Sequence, residues 1–224
     1  MIVTIDGPTA SGKSTVARAL AQELGFYYLP TGWLYRAVAY LLVEEFGYTQ
    51  DMLATPTRED VQYCLEPSRL IYTYDEKQGG KLFFNKRDIT SYLKDYLVDV
   101  YVAIISPIVM VRELVVNAQR AFAQSTDCVI EGRDIGSVVF PKAHYKFYLT
   151  ASLSVRAQRW QKDQEQRGNT FTLEQAQVQI ASRDTKDKER KHSPLTIPKG
   201  AITIDNSDLT FDQTIQIMLK HIKQ

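Results

Sequence analysis

The sequence predicts an α/β fold, with a five-stranded parallel sheet covered by helices on both faces. Three observations predict it. The chain opens on a short apolar run, Ile2 to Ile5, that leads straight into a glycine-containing loop and then a helical pattern. Further short apolar runs alternate with helix-length amphipathic stretches, the pattern of strands joined by crossover helices. With 224 residues, 44% of them hydrophobic and 24% charged, the chain has material for one buried core and no membrane-length apolar run. A single domain over residues 1–224 is expected.

Each element has a local reason. Ile2 to Ile5 is too short for a helix and reads as a buried strand. Val16, Leu20 and Leu24 recur every four residues and Gly25 supplies a stop, which makes a helix with one buried stripe. Phe26 to Leu29 reads as a second strand ended by Pro30, Thr31 and Gly32, with a helix following through Tyr35, Ala39 and Leu42. From about Gly47 to Asp95 the pattern changes. Arg69 to Tyr74 and Lys81 to Asn85 are β-rich runs around Gly79 and Gly80, a hairpin signal that predicts a small β-rich subdomain inserted in the alternating chain. Ser106 and Pro107 are expected at the N-cap and first turn of a helix reaching about Gln124. Cys128 to Glu131, Lys146 to Leu149 and Ile202 to Asp205 read as the remaining core strands. Thr172 with Gln175, and Thr210 with Gln213, spell capping boxes for two later helices.

A formal net charge of +1 gives no general attraction to nucleic acid or to a membrane, so neither is expected as a partner. The positive charge is concentrated instead between Arg156 and Arg190, where it can meet a polyphosphate. The first residues lack a basic leader and meet Asp6 early, which predicts a cytoplasmic protein. Cys64 and Cys128 have no metal-ligand spacing and read as reduced packing residues. No heptads or exposed apolar stripes are evident, so a monomer is expected.

Gly7, Pro8, Thr9, Ala10, Ser11, Gly12, Lys13 and Ser14, followed by Thr15, satisfy the G-x-x-x-x-G-K-[ST] pattern between a strand and a helix. Such a P-loop surrounds a β-phosphate with backbone N–H groups, its lysine reaches the β and γ oxygens, and its serine ligates Mg²⁺. ATP with Mg²⁺ is therefore the expected nucleotide, held over Gly7 to Thr15, with Ser14 as the metal ligand. The pattern is shared by kinases and GTP switches, and Asn85-Lys86-Arg87-Asp88 spells the guanine-reading N-K-x-D. That run sits in the predicted hairpin and no D-x-x-G precedes it, so it reads as polar residues closing a β-run before a turn.

Arg133 and Asp134 follow the third core strand, where open α/β sheets bind their ligands. A guanidinium there suits a phosphate and a carboxylate suits an exocyclic amino group. Arg183, Asp187 and Arg190 lie on adjoining turns of a helix end, Arg156 and Arg159 on the helix before it, and Arg36 just after Thr31-Gly32. Phosphoryl transfer needs cations gathered around the moving group, which a lid carrying arginines provides. His144, His192 and His221 show no metal or triad spacing, and an anionic phosphate acceptor needs no general base.

Taken together these motifs resemble those of the bacterial cytidylate kinases, a P-loop nucleoside monophosphate kinase family, and the likeness runs nearly end to end. It is carried by Thr31-Gly32-Trp33-Leu34-Tyr35-Arg36, by Gly132-Arg133-Asp134-Ile135-Gly136-Ser137-Val138-Val139-Phe140-Pro141, and by Arg183-Asp184 with Asp187, Arg190, Pro194 and Leu195. The resemblance implies a three-layer P-loop fold with an enlarged monophosphate-binding insert over about residues 38–95 and a helical lid over about 160–192. It implies transfer of the γ-phosphoryl of ATP to CMP or dCMP, in pyrimidine nucleotide metabolism. Residues matching Arg36, Arg133 and Arg190 would hold the acceptor phosphate, those matching Arg112 and Asp134 would read cytosine, and those matching Arg183 and Asp187 would face the sugar, with Thr31 beside the acceptor. Lys13, Arg133, Arg156, Arg159, Arg183 and Arg190 are the expected catalytic cations. The chain departs from the family pattern at Pro30, Trp33 and Trp160, and near Tyr101, where a serine that helps read cytosine is replaced. Another small acceptor such as UMP, AMP or a shikimate-like alcohol remains an alternative, as does a GTP-binding switch.

Overall fold

Four consecutive apolar or β-branched residues give strand β1 (Ile2–Asp6), whose Val3 and Ile5 are wholly buried. The computed structural model describes residues 1–75, 79–124 and 126–222. Five strands form the main sheet in the order β2-β6-β1-β7-β8, with β2 at Tyr27–Pro30, β6 at Cys128–Gly132, β7 at Tyr145–Thr150 and β8 at Ile202–Asp205. Every ladder among β6, β1, β7 and β8 is parallel, with Val3 facing Val129 on one side and Tyr145 on the other. The predicted α/β class and five core strands are therefore present.

Packing divides the chain into two compact units, Met1–Phe26 with Asp127–Gln224, and Tyr27–Thr126. In the first, helix α1 (Lys13–Leu24) buries Val16 and Leu20 and ends at Gly25, whose φ of 65° is the left-handed C-cap read from the sequence. Helices α6 (Leu153–Gln166) and α7 (Leu173–Lys188) pack together through Ala157, Ala176 and Ile180, and α8 (Phe211–Ile222) is the last element. Both capping boxes form: Thr172 and Gln175 exchange hydrogen bonds at 2.8 and 3.2 Å, as do Thr210 and Gln213. Phe147 and Ile5 are fully buried, each worth roughly 2–3 kcal/mol of transfer free energy.

The second unit holds α2 (Gly32–Phe46), α3 (Arg58–Cys64), the antiparallel strands β3 (Leu70–Asp75), β4 (Gly79–Phe84) and β5 (Arg87–Asp88), then α4 (Tyr96–Ile105) and α5 (Val109–Ala123). Leu41, Leu42, Leu53, Leu82, Phe84 and Ile105 make up the middle of its core. The hairpin has the expected strands, while its connection at residues 76–78 lies outside the described residues. Asn85 and Lys86 have φ of 48° and 69°, the doubly left-handed pair of a two-residue hairpin turn. Asp88 is turned onto the Thr90 N–H at 2.9 Å. The N-K-x-D run is thus a turn, and the guanine-reading alternative loses its residues.

One boundary differs from expectation. Ser106 and Pro107 do not start α5; Ser106 closes α4, its N–H bonded to Val102 at 2.9 Å, and Ile108 is the N-cap of α5. A preceding helix had already claimed the serine, and proline then stopped that helix rather than beginning the next.

Candidate active site

The phosphate loop is shaped by what surrounds it. A side chain at Gly7 would place its Cβ 2.0 Å from the Leu149 carbonyl oxygen, so only glycine lets the loop leave β1 so close to β7. Gly12, at φ 90°, turns the chain into α1, whose first N–H groups have no partner within the helix and suit an anion. Lys13 is 5% exposed and donates from Nζ to the Pro8 carbonyl at 2.6 Å and to Ser11 Oγ at 3.3 Å. Burial first, and then the neighbouring Arg133 guanidinium, hold its pKa well below that of an ordinary lysine. Ser14 Oγ donates to Glu131 Oε1 at 3.2 Å, bringing a hydroxyl and a carboxylate oxygen together at the start of α1. Hard oxygen donors of this kind fit Mg²⁺, which takes one or two protein oxygens and fills its remaining positions from phosphate and water. Among the described residues no larger cluster of His, Cys, Asp or Glu offers a metal site.

Thr9 is the hub of the loop. Its N–H donates to Asp184 Oδ1 at 3.0 Å, its carbonyl accepts from Arg156 Nη1 at 3.1 Å, and its hydroxyl accepts from Arg133 Nη2 at 3.2 Å. Arg133 Nε donates to Asp187 Oδ2 at 2.8 Å, and the other oxygen of Asp187 pairs with Arg190. From the end of β8, Asn206 holds the Ser11 carbonyl at 3.1 Å and Arg159 at 3.0 Å. Lys13, Ser14, Arg133, Arg156, Arg159, Asp187 and Arg190 are thereby gathered around one loop in the first unit, with Arg183 near enough to depress the Lys13 pKa. Asp134 is buried beside them and raises the pKa of Asp6. Sequence reasoning missed Asp6, Glu131, Asp184 and Asn206 as parts of this arrangement. A signal existed for two of them, because Asp6 and Glu131 end core strands where ligands gather.

In the second unit Arg36 Nη1 donates to the Leu93 carbonyl at 2.7 Å, and its Nη2 pairs with Asp99. Arg112 Nη1 donates to the Ser106 carbonyl at 3.2 Å, and its guanidinium lies 5.7 Å from the Tyr35 ring centroid. Thr31 is buried at the start of α2. Trp33 packs edge-on to Tyr72, and in the first unit Trp160 packs on Phe171, so both departures from the family pattern fill hydrophobic space. Cys64 and Cys128 are buried free thiols pushed up to about 12 and about 11, the inert behaviour expected of them.

Asp6 accepts the backbone N–H groups of Ile135 and Gly136 at 2.8 and 2.7 Å and so fixes the turn that follows Arg133 and Asp134. Burial outweighs those two donors and raises its carboxyl from an ordinary 3.8 to about 6. The folded chain therefore binds this proton more tightly than the unfolded chain. Its stabilising contribution is full below the unfolded value and is lost as pH rises through the folded one, by about 3 kcal/mol. Chemical unfolding should show the stability of wild type falling by about that amount relative to Asp6→Asn between roughly pH 4 and pH 7. A constant difference across that window would contradict the burial assigned to Asp6.

Comparison with known proteins gives a consistent result. The family model described as cytidylate kinase matches residues 3–224. The cytidylate kinase of Thermodesulfovibrio yellowstonii is 38% identical over 223 residues, covering 100% of this chain and 98% of that protein. The cytidylate kinase of Chlamydia pneumoniae is 40% identical over 219 residues, covering 98% and 96%. Among solved structures, an uncharacterized protein from Eubacterium ventriosum aligns with a TM-score of 0.55 at 11% identity over 100% of this chain and 99% of its own, a likeness of fold alone.

Proposed function

The chain belongs to the cytidylate kinase family, and from that premise we propose that it transfers the γ-phosphoryl group of ATP to CMP or dCMP, yielding ADP and CDP or dCDP. The observation that carries the reading is the bond from Arg133 to Thr9, which joins the phosphate loop to the Arg133, Asp187 and Arg190 cluster. Donor and acceptor phosphates repel each other, so a site that transfers between them needs cations common to both.

In this reading Gly7 to Thr15 enclose the donor phosphates, and Lys13 leaves the Pro8 carbonyl for the β and γ oxygens. Ser14 and Glu131 hold Mg²⁺, which when bound neutralises donor oxygens. Arg133 and Arg190 take the acceptor phosphate, a role that the family likeness also gives to Arg36. Asp134 accepts from the cytosine amino group, Arg183 and Asp187 face the sugar, and the family likeness assigns Arg112 to the ring acceptors and Thr31 to the acceptor. Arg159 and Arg183 add positive charge at the transferred group. The chain acts as a single kinase domain with a monophosphate-binding insert over about 38–95 and a lid over about 160–192. A cytoplasmic monomer serving pyrimidine nucleotide metabolism, without nucleic acid or membrane partners, fits the near-neutral charge, and no described helix is long and apolar enough to cross a membrane.

A coupled ADP-release assay across CMP, dCMP, UMP, AMP and shikimate tests the proposal. CMP and dCMP are expected to exceed the other acceptors in kcat/KM by about 10²-fold or more, because a site built to pair with an amino group leaves buried polar atoms unmatched by its analogues. A preference for AMP or shikimate would overturn it.

A further inference from the structure

Asp184 lies on α7 immediately after Arg183 and has no part in the roles above. Its side chain is 9% exposed and that of Arg156 is 10% exposed. One carboxylate oxygen accepts the Thr9 N–H at 3.0 Å, and the other pairs with Arg156 Nη1. The same Arg156 nitrogen donates to the Thr9 carbonyl at 3.1 Å, and Arg156 Nε donates to the Ala151 carbonyl at 2.9 Å. Both backbone polar groups of Thr9 are therefore gripped by an ion pair formed between α6 and α7. Burying two charges is not a stabilising device in itself, since desolvation offsets most of their attraction. What the pair does supply is direction: a carboxylate and a guanidinium fork fix an N–H and a C=O that a loop would otherwise leave to water.

We propose that Asp184 is a positioning residue for the phosphate loop, clamping the Thr9 backbone through itself and through Arg156 so that the loop keeps its phosphate-binding shape only while α7 is docked upon it. This assigns Arg156 to the loop's framework rather than to the transferred phosphoryl, because its bonds to Ala151, Thr9 and Asp184 hold its head in place. Ala10 packs on Ala157, Ala176 and Ile180 of the same two helices, so apolar contact seats the residue after Thr9 where the ion pair grips Thr9 itself. Donor affinity then depends on the position of α7, which also carries Asp187 and hence the partner of Arg133. The inference rests on the proposed use of the loop for ATP.

Two measurements on the full chain decide it. Amide hydrogen exchange, read by NMR without nucleotide, should speed up at least about tenfold at Thr9 in Asp184→Ala, with Val3 and Ile5 in β1 unchanged. Calorimetry with ADP and Mg²⁺ should show Kd raised about 10- to 100-fold, while the Kd for CMP moves by less than about threefold. Asp184→Asn keeps an oxygen for the Thr9 N–H and loses the ion pair, so it should give a smaller loss of the same kind, and it serves if the alanine variant does not fold. Unchanged Thr9 exchange with wild-type ADP affinity would overturn the clamp, as would protection lost evenly across β1. A wild-type protein that bound no ADP would sink the proposed activity, leaving the exchange rates to judge the clamp.

Discussion

Lys13→Met is expected to lower kcat with ATP and CMP by on the order of 10³-fold while leaving the melting midpoint unchanged or raised. The two effects have one origin. Lys13 is buried against the Pro8 carbonyl and Ser11 Oγ with Arg133 near it, and its pKa is held well below the ordinary lysine value. A lysine whose folded pKa lies below its unfolded one is a destabilising charge at neutral pH, and stability rises as pH climbs between the two values. Methionine keeps the apolar stem and removes that charge, so folding gains while the donor phosphates lose their cation. Arginine should not restore turnover, because its planar fork cannot occupy the cradle between the Pro8 carbonyl and Ser11. Steady-state rates beside a thermal scan give both readouts. A variant that turned over at near wild-type rate would refute the donor-site assignment, and one that melted well below wild type would refute the account of Lys13 as a strained charge.

What was legible in the sequence was what is encoded locally. The phosphate loop, the left-handed Gly25 cap and the two capping boxes each depend on residues within a few positions of one another, and each formed as read. Helix α4 was not legible, because Tyr96–Ile105 is apolar nearly all round and offers no 3.6-residue stripe; its start is marked chiefly by Asp95, which caps the Leu97 N–H at 2.8 Å. With α4 unannounced in the sequence, Ser106 reads as the start of α5 although it closes α4. In the site, cations are legible by type and clustering, and so is Asp187, which pairs with Arg133 and Arg190, whereas Asp184 and Asn206 are not. Thr9 meets Asp184 across 175 residues and Asn206 meets Ser11 across 195, separations that only the sheet order brings together. For the same reason the pairing of Arg156 with Asp184 is not legible, since nothing near Arg156 in sequence announces that carboxylate.

Gly7→Ala is expected to cost about 3 kcal/mol or more and to lower the melting midpoint by about 10 °C, with ADP binding lost. The added Cβ would lie 2.0 Å from the Leu149 carbonyl oxygen, far inside any real contact distance, and a tight 3.1 Å from its carbon. Relief by moving Leu149 is closed off, because β7 is paired to β1 on one side and to β8 on the other, where Leu149 faces Ile204. Relief by moving residue 7 shifts the loop, whose φ of 152° there already lies where side chains are rarely found. The collision therefore falls on the one segment that must meet phosphate. Gly25→Ala is the matched control: it too has positive φ, 65°, but nothing lies within 4 Å of its Cβ position. It should pay only the left-handed strain of about 1 kcal/mol and keep its affinity for ADP. Thermal scans and ADP titrations of the two variants separate backbone strain from steric closure. If Gly7→Ala melted within about 2 °C of wild type and still bound ADP, the loop would not be held against β7 in the way that makes glycine obligatory.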